Sequence, residues 1–120
     1  MPASERDAAY LLDMVEAAEE VRTYVQGKTL ADYEAEPMLR AAVERKIEII
    51  GEAARRVSEK LKREHPEIPW RQIIAQRNVI AHEYDVIRNA ELWEAATVHI
   101  PRLVAALGPL IPPAPYAPDN

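Results

Sequence analysis

The chain has 120 residues, of which 48% are hydrophobic, and this length suits a single domain with one buried core. It contains no cysteine, which excludes disulfides, thiolate metal sites and cysteine nucleophiles, and its three glycines and many helix formers favour an all-α protein. The net charge of −5 argues against an obligate, nonspecific nucleic-acid binder, because affinity for phosphate depends largely on Lys and Arg.

The first predicted helix runs from about Glu5 to about Gln26, just before Gly27. Ser4 and Asp7 form a weak capping box at its start. The apolar residues that follow recur at helical spacing: Ala8, Leu11, Leu12, Val15, Ala18, Val21 and Val25.

A short helical turn is predicted next, opened by Thr29 and Asp32. Pro37 should interrupt or restart it, since a proline ring cannot follow a helical interior. A long helix then continues to His65-Pro66. Its apolar stripe has a period near 3.6 and comprises Leu39, Ala42, Val43, Ile47, Ile50, Ala54, Val57 and Leu61.

The third long helix is predicted to begin with Pro69, where the missing N–H costs nothing, and to end near Glu83 to Asp85. Asn89 is expected to cap a fourth helix that Pro101 kinks. Gly108-Pro109 should end that helix. The sequence therefore predicts an up-and-down antiparallel four-helix bundle with a short extra helical turn, formed by residues 1–108, and an extended or disordered Pro-rich tail, 109–120.

One polar cluster stands out in the third helix, the stretch Arg-Asn-Val-Ile-Ala-His-Glu-Tyr from Arg77 to Tyr84. Asn78 and His82 are four residues apart and share a helical face. Arg77 and His82 diverge by about 140° around the axis at ~100° per residue, so they converge only through side-chain reach or across two chains. A symmetric dimer could assemble one cleft from two copies of this helix.

A histidine imidazole and an arginine guanidinium together suffice to cleave RNA by internal transesterification without a metal ion. A neutral imidazole, with an ordinary pKa of ~6.5, can take a proton from a ribose 2′-hydroxyl, and arginine can stabilise the charge that develops on the phosphate. Because the 2′-hydroxyl is the nucleophile, DNA should not be cut. Asn78 could orient the imidazole or the phosphate, and Tyr84 could stack on a base or bind a phosphate.

Spacing alone leaves a structural interpretation of this cluster open, because a histidine beside a helix end often caps the last carbonyls. Two further features also remain open from the sequence. The basic residues between Gly51 and Arg77 could form a nucleic-acid surface or a mixed-charge solvated face, and Glu52 could have a catalytic role or none. No Asp-x-Asp or His-Glu-x-x-His pattern suggests a metal site.

The sequence resembles the HEPN superfamily, whose signature of Arg, four residues, His, any residue and Tyr matches Arg77, His82 and Tyr84. It resembles the HepT-like toxins more narrowly, over roughly Arg6 to Leu107. The matching segments are Arg6-Asp7, Tyr10-Leu11, Ile49-Ile50-Gly51-Glu52-Ala53-Ala54, Ile68-Pro69-Trp70, Arg77-Asn78, His82-Glu83-Tyr84, Trp93 and Pro101-Arg102-Leu103.

This resemblance implies a homodimeric, metal-independent endoribonuclease that acts as the toxin of a type VII-like toxin–antitoxin pair. It implies that Arg77 and His82 are the catalytic pair and Asn78 a supporting residue. Tyr84 would be the site at which an MntA-like nucleotidyltransferase antitoxin adds AMP. ATP is then the partner's substrate, and the toxin itself needs no cofactor.

Two other functions remain compatible with the sequence. One is a noncatalytic partner that presents nucleotide or substrate to a nucleotidyltransferase, and the other is a purely structural interaction bundle. The sequence has no apolar run of the roughly 18 residues that a membrane span needs and no signal peptide, so no membrane partner and a cytoplasmic location are expected.

Overall fold

The computed structural model describes residues 4–81 and 85–112, and it describes side chains throughout these ranges except at 77–81 and 85–87. The described residues form helices and turns: α1 (Glu5–Val25), α2 (Leu30–Ala35), α3 (Pro37–Arg56), α4 (Glu59–Glu64), α5 (Trp70–Ala81), α6 (Asp85–Glu94), a π-helical turn (Ala95–His99), α7 (Ile100–Leu107) and a 3₁₀ turn (Gly108–Leu110). The chain is an all-α, up-and-down antiparallel four-helix bundle, as predicted. Its four long elements are α1, α3, α5 and the continuous run from α6 to α7.

The first two helices begin and end where local sequence predicts. The Ser4 hydroxyl accepts a hydrogen bond from the Asp7 N–H at 3.1 Å, and Gly27 follows α1 with a φ of +75°, which favours glycine. Thr29 and Asp32 form a complete capping box at α2. Pro37 then starts α3, so the predicted restart is confirmed.

The prediction that the long helix continues to His65 is wrong, because α3 ends at Arg56 and α4 begins at Glu59. Asp7, 51 residues earlier in the chain, accepts hydrogen bonds from the Ser58 N–H at 2.9 Å and the Ser58 hydroxyl at 2.6 Å. The same hydroxyl accepts from the Leu61 N–H and caps α4. The apolar period continues through the corner because Val57 and Leu61 remain buried on both sides of it.

One expectation for the last long element also needs correction. Asn89 does not cap a helix: it lies inside α6, which begins at Asp85, and its side chain is buried. The kink expected at Pro101 stays a prediction, but the hydrogen bonding of the helix does change just before this residue. The Ile100 N–H donates to the Ala95 carbonyl five residues back, which makes a π-helical turn directly before Pro101. The altered turn accommodates a residue that has no N–H to donate.

The core lies where α1 packs along α3, α3 along α5 and α1 along α7. Its largest fully buried side chains are Tyr33, Leu11, Met14, Leu92, Leu107, Val21 and Val43. Leu110 and Ile111 also pack against this core, so the prediction of an unpacked tail does not hold for these two residues. The remainder of the predicted tail, 113–120, lies outside the described residues.

Within the described ranges, the helices are too short or too polar to cross a membrane.

Candidate functional site

The predicted polar cluster begins in the second half of α5. Arg77 and Asn78 belong to that helix, which ends at Ala81, although their side chains are not described. His82, Glu83 and Tyr84 lie outside the described residues. Whether these side chains converge therefore stays a prediction, while the helices on both sides can be described in detail.

Two hydrogen bonds fix the start of α5. The Ile73 N–H donates to the Pro69 carbonyl at 3.0 Å, so Pro69 lies one residue before the helix rather than at its predicted first position. The indole N–H of the buried Trp70 donates to the His65 carbonyl at 3.0 Å. Ile68, two residues before Trp70, is also buried. Trp70 is thus a core anchor, as its place on an apolar stripe indicates. These contacts hold α5 at the end opposite Arg77.

On the other side of the cluster, the second half of α6 is anchored in the core. Leu92 is fully buried, and the Trp93 ring lies 5.6 Å from the ring of Tyr33 in α2, in a tilted arrangement. Burial raises the pKa of Tyr33 to about 12, so this phenol remains protonated and acts as part of the core.

A groove of about 580 Å³ separates α5 from the run between α6 and α7, with α3 as its floor. Its apolar lining includes Ile47, Ile50, Ile73, Ile100 and Leu103. The described charged residues at its rim are Glu67, Glu91, Glu94 and Arg102, with His99 beside them. Three carboxylates against one guanidinium make this described surface unfavourable for a phosphate backbone.

A second, polar cavity of about 560 Å³ lies where α2, α3 and α6 meet. Arg88 of α6 forms an ion pair with Glu44 of α3 at this cavity. The Arg40 guanidinium donates to the backbone carbonyls of Tyr33 and Glu34, and it thereby joins α3 to α2. The pair of Glu44 and Arg88 could not be predicted from the sequence, because each residue alone resembles an ordinary solvated charge on a helix.

The basic stretch before α5 is a mixed-charge surface. Glu52 accepts hydrogen bonds from Arg55 at 2.9 Å and Arg56 at 3.0 Å, and Lys62 lies 3.7 Å from Glu59. The hydrogen bonds from Arg55 and then Arg56 lower the pKa of Glu52 to about 2. A carboxylate with that pKa is a weak proton acceptor at neutral pH, which argues against a catalytic role for Glu52.

The two described histidines lie near helix ends, as their sequence positions indicate. His65 Nδ1 lies 3.1 Å from a Glu67 carboxylate oxygen, and His99 is exposed at the end of the π-helical turn. In the described ranges, no group of three or more His, Asp or Glu side chains could hold a metal ion.

Comparison with known proteins gives a consistent result across most of the chain. A family described as "Ribonuclease HepT-like" matches residues 14–109. A protein of Methanocaldococcus jannaschii with a provisional RNase name is 32% identical over 101 residues, which cover 83% of this chain and 93% of that protein.

Two further relatives have similar lengths. A protein of Thermococcus cleftensis provisionally named ribonuclease HepT is 35% identical, over 78% of this chain and 86% of its own. A provisionally named RNase of Caldanaerobacter subterraneus subsp. tengcongensis is 31% identical, over 78% of this chain and 84% of its own. No solved structure matches the chain significantly.

Proposed function

The chain belongs to the HepT-like ribonuclease family, and from this premise we propose that it is a metal-independent endoribonuclease whose catalytic residues are Arg77 and His82. The observation that carries the proposal is that the family match, residues 14–109, includes the complete Arg77, His82 and Tyr84 signature. The relatives with RNase names span the same part of the chain.

In the proposed reaction, His82 takes the proton from a ribose 2′-hydroxyl as the 2′-oxygen attacks the adjacent phosphorus. A new bond forms between the 2′-oxygen and phosphorus, and the bond from phosphorus to the 5′-oxygen breaks. The leaving 5′-oxygen takes a proton from the imidazolium, which returns His82 to its neutral form, so the products carry a 2′,3′-cyclic phosphate and a 5′-hydroxyl. Arg77 stabilises the negative charge on the phosphate in the transition state, and Asn78 supports the orientation of imidazole or phosphate.

The proposed active site contains residues from two copies of the chain. Arg77 and His82 are five residues apart, and on one helix their side chains diverge by about 140°. A homodimer with two-fold symmetry would instead bring Arg77 of one chain towards His82 of the other. The homodimer is therefore part of the proposed function.

The enzyme is proposed to be the toxin of a toxin–antitoxin pair, controlled at Tyr84 by an MntA-like nucleotidyltransferase. The Tyr84 oxygen would attack the α-phosphorus of ATP in the partner's active site, and pyrophosphate would leave. The attached AMP places negative charge and bulk near Arg77, where it would compete with the RNA phosphate. Toxicity and its control thus follow from the same site.

We expect Tyr84→Phe to keep RNA cleavage and to receive no AMP from a co-expressed MntA-like enzyme, because it lacks the acceptor oxygen. The wild-type chain should gain AMP and lose cleavage. Mass spectrometry and an RNA-cleavage assay on the same samples measure both effects. Tyr24→Phe is the control and should still be modified, while AMP on Tyr84→Phe would contradict the assignment.

RNA incubated with the purified protein in EDTA tests the enzyme against the noncatalytic alternative. The proposed function predicts cleavage of RNA and no cleavage of DNA of the same sequence. Intact RNA together with measurable ATP or AMP binding would instead support a module that presents nucleotide to a nucleotidyltransferase.

A further inference from the structure

The ion pair between Glu44 in α3 and Arg88 in α6 is the most enclosed one among the described residues. The two side chains are 18% and 22% exposed, whereas each other described pair has at least one partner that is more than two-fifths exposed. Charges this far from water are favourable only while they stay in contact, because each has lost much of its hydration. Such a pair restricts the relative position of the helices that carry it.

Arg88 lies in the first turn of α6, four residues after Tyr84 and six after His82. Glu44 lies on α3, the helix that packs along both α1 and α5. Apart from the π-helical turn that follows it, α6 mainly contacts α2 and α5, so this ion pair ties the start of α6 directly to α3. The ion pair therefore acts at the end of α6 that follows the signature Arg77 to Tyr84 in the chain.

The other described anchors of α6 lie farther from the signature Arg77 to Tyr84. Leu92 and Trp93 fix its second half through the core and through Tyr33. Arg40 fixes α2 against α3 on the opposite wall of the cavity. Among the described side chains, Arg88 and the buried Asn89 are the ones that hold the start of α6. Breaking the ion pair should therefore loosen the start of α6 more than its end.

We propose that Glu44 and Arg88 are positioning residues for RNA cleavage, which hold the start of α6 so that His82 is correctly placed relative to Arg77. This inference rests on the proposed function, because it assigns the pair a role in that reaction. Neither residue touches the reacting atoms in this proposal. A misplacement of a catalytic group by about 1 Å can reduce a rate by ~10²-fold, so a small shift of α6 is sufficient.

The test compares Glu44→Gln, Arg88→Glu and the exchanged pair Glu44→Arg with Arg88→Glu. Each single variant should lower kcat by about tenfold to a hundredfold and leave KM within about a factor of two. The exchanged pair should recover most of the lost kcat, because the attraction between the helices is restored. Glu20→Gln is the control: it breaks the 2.9 Å pair with Lys46, which joins α3 to α1, and should leave kcat unchanged.

Two other roles predict different results. If the pair only stabilises the fold, the single variants will keep full kcat at temperatures where circular dichroism shows them folded. If Arg88 binds RNA directly, Arg88→Glu will raise KM, Glu44→Gln will not lower kcat, and the exchanged pair will not recover. Either result would overturn the proposal.

Hydrogen–deuterium exchange separates this inference from the proposed function. Glu44→Gln should increase exchange in a peptide covering residues 82–88, and Glu20→Gln should not. A wild-type protein that does not cleave RNA would refute the proposed function alone, whereas unchanged exchange at 82–88 in Glu44→Gln would refute positioning by the ion pair.

Discussion

His82→Ala should lower the rate of RNA cleavage by about a thousandfold, because it removes the group that accepts the 2′-hydroxyl proton. The helical content and thermal melting of the variant should match those of the wild type, and circular dichroism checks this on the same samples. Expression of the variant should also cease to be toxic to the host cell. Single-turnover cleavage of a labelled RNA measures the effect on chemistry without contributions from product release.

His99→Ala provides a matched control, since His99 is an exposed histidine of the same chain that has no role in the proposed reaction. It should cleave RNA at the wild-type rate. Cleavage by His82→Ala within about threefold of the wild-type rate would exclude His82 as the general base.

Mixing two inactive variants should restore activity if the active site contains residues from both chains. Arg77→Ala and His82→Ala are each expected to be nearly inactive alone, with losses of about a hundredfold or more. After co-expression, about half of the dimers carry one chain of each kind, and each of these has one intact site with both Arg77 and His82. The mixture should therefore show about a quarter of wild-type activity.

The control for this experiment is a mixture of separately purified variants under conditions where subunits do not exchange, which should remain inactive. If co-expressed mixed dimers are also inactive, then each site takes Arg77 and His82 from one chain, and the two-chain site is wrong. Analytical ultracentrifugation of the same samples shows whether dimers are present.

The parts of the fold that local chemistry determines could be predicted from the sequence. Ser4, Thr29 with Asp32, and Pro37 act on their own helix ends, and these boundaries agree with the structure. The corner at Val57 and Ser58 could not be predicted, because Asp7 produces it from 51 residues away. Asparagine is a frequent helix cap, yet Asn89 lies buried within α6, where packing outweighs that local preference.

The candidate site also has one part that the sequence predicts and one part that only the fold reveals. The Arg77 to Tyr84 signature is contiguous, so the sequence alone identifies it and the family match includes it. The Glu44 and Arg88 pair becomes visible only when α3 and α6 are brought together, because no spacing rule connects residues 44 positions apart. In the proposed two-chain site, Arg77 and His82 converge through a second chain, which helical periodicity within one chain cannot indicate.

In the proposed function, the nucleophile is the 2′-hydroxyl of the RNA substrate itself. The most direct test uses an RNA oligonucleotide whose cleavage site has been mapped and a second one that carries a single 2′-deoxy nucleotide on the 5′ side of that site. In EDTA, the first should yield a 2′,3′-cyclic phosphate and a 5′-hydroxyl by mass spectrometry, and the second should stay intact at that position. Cleavage of the 2′-deoxy oligonucleotide at the same bond would contradict the claim.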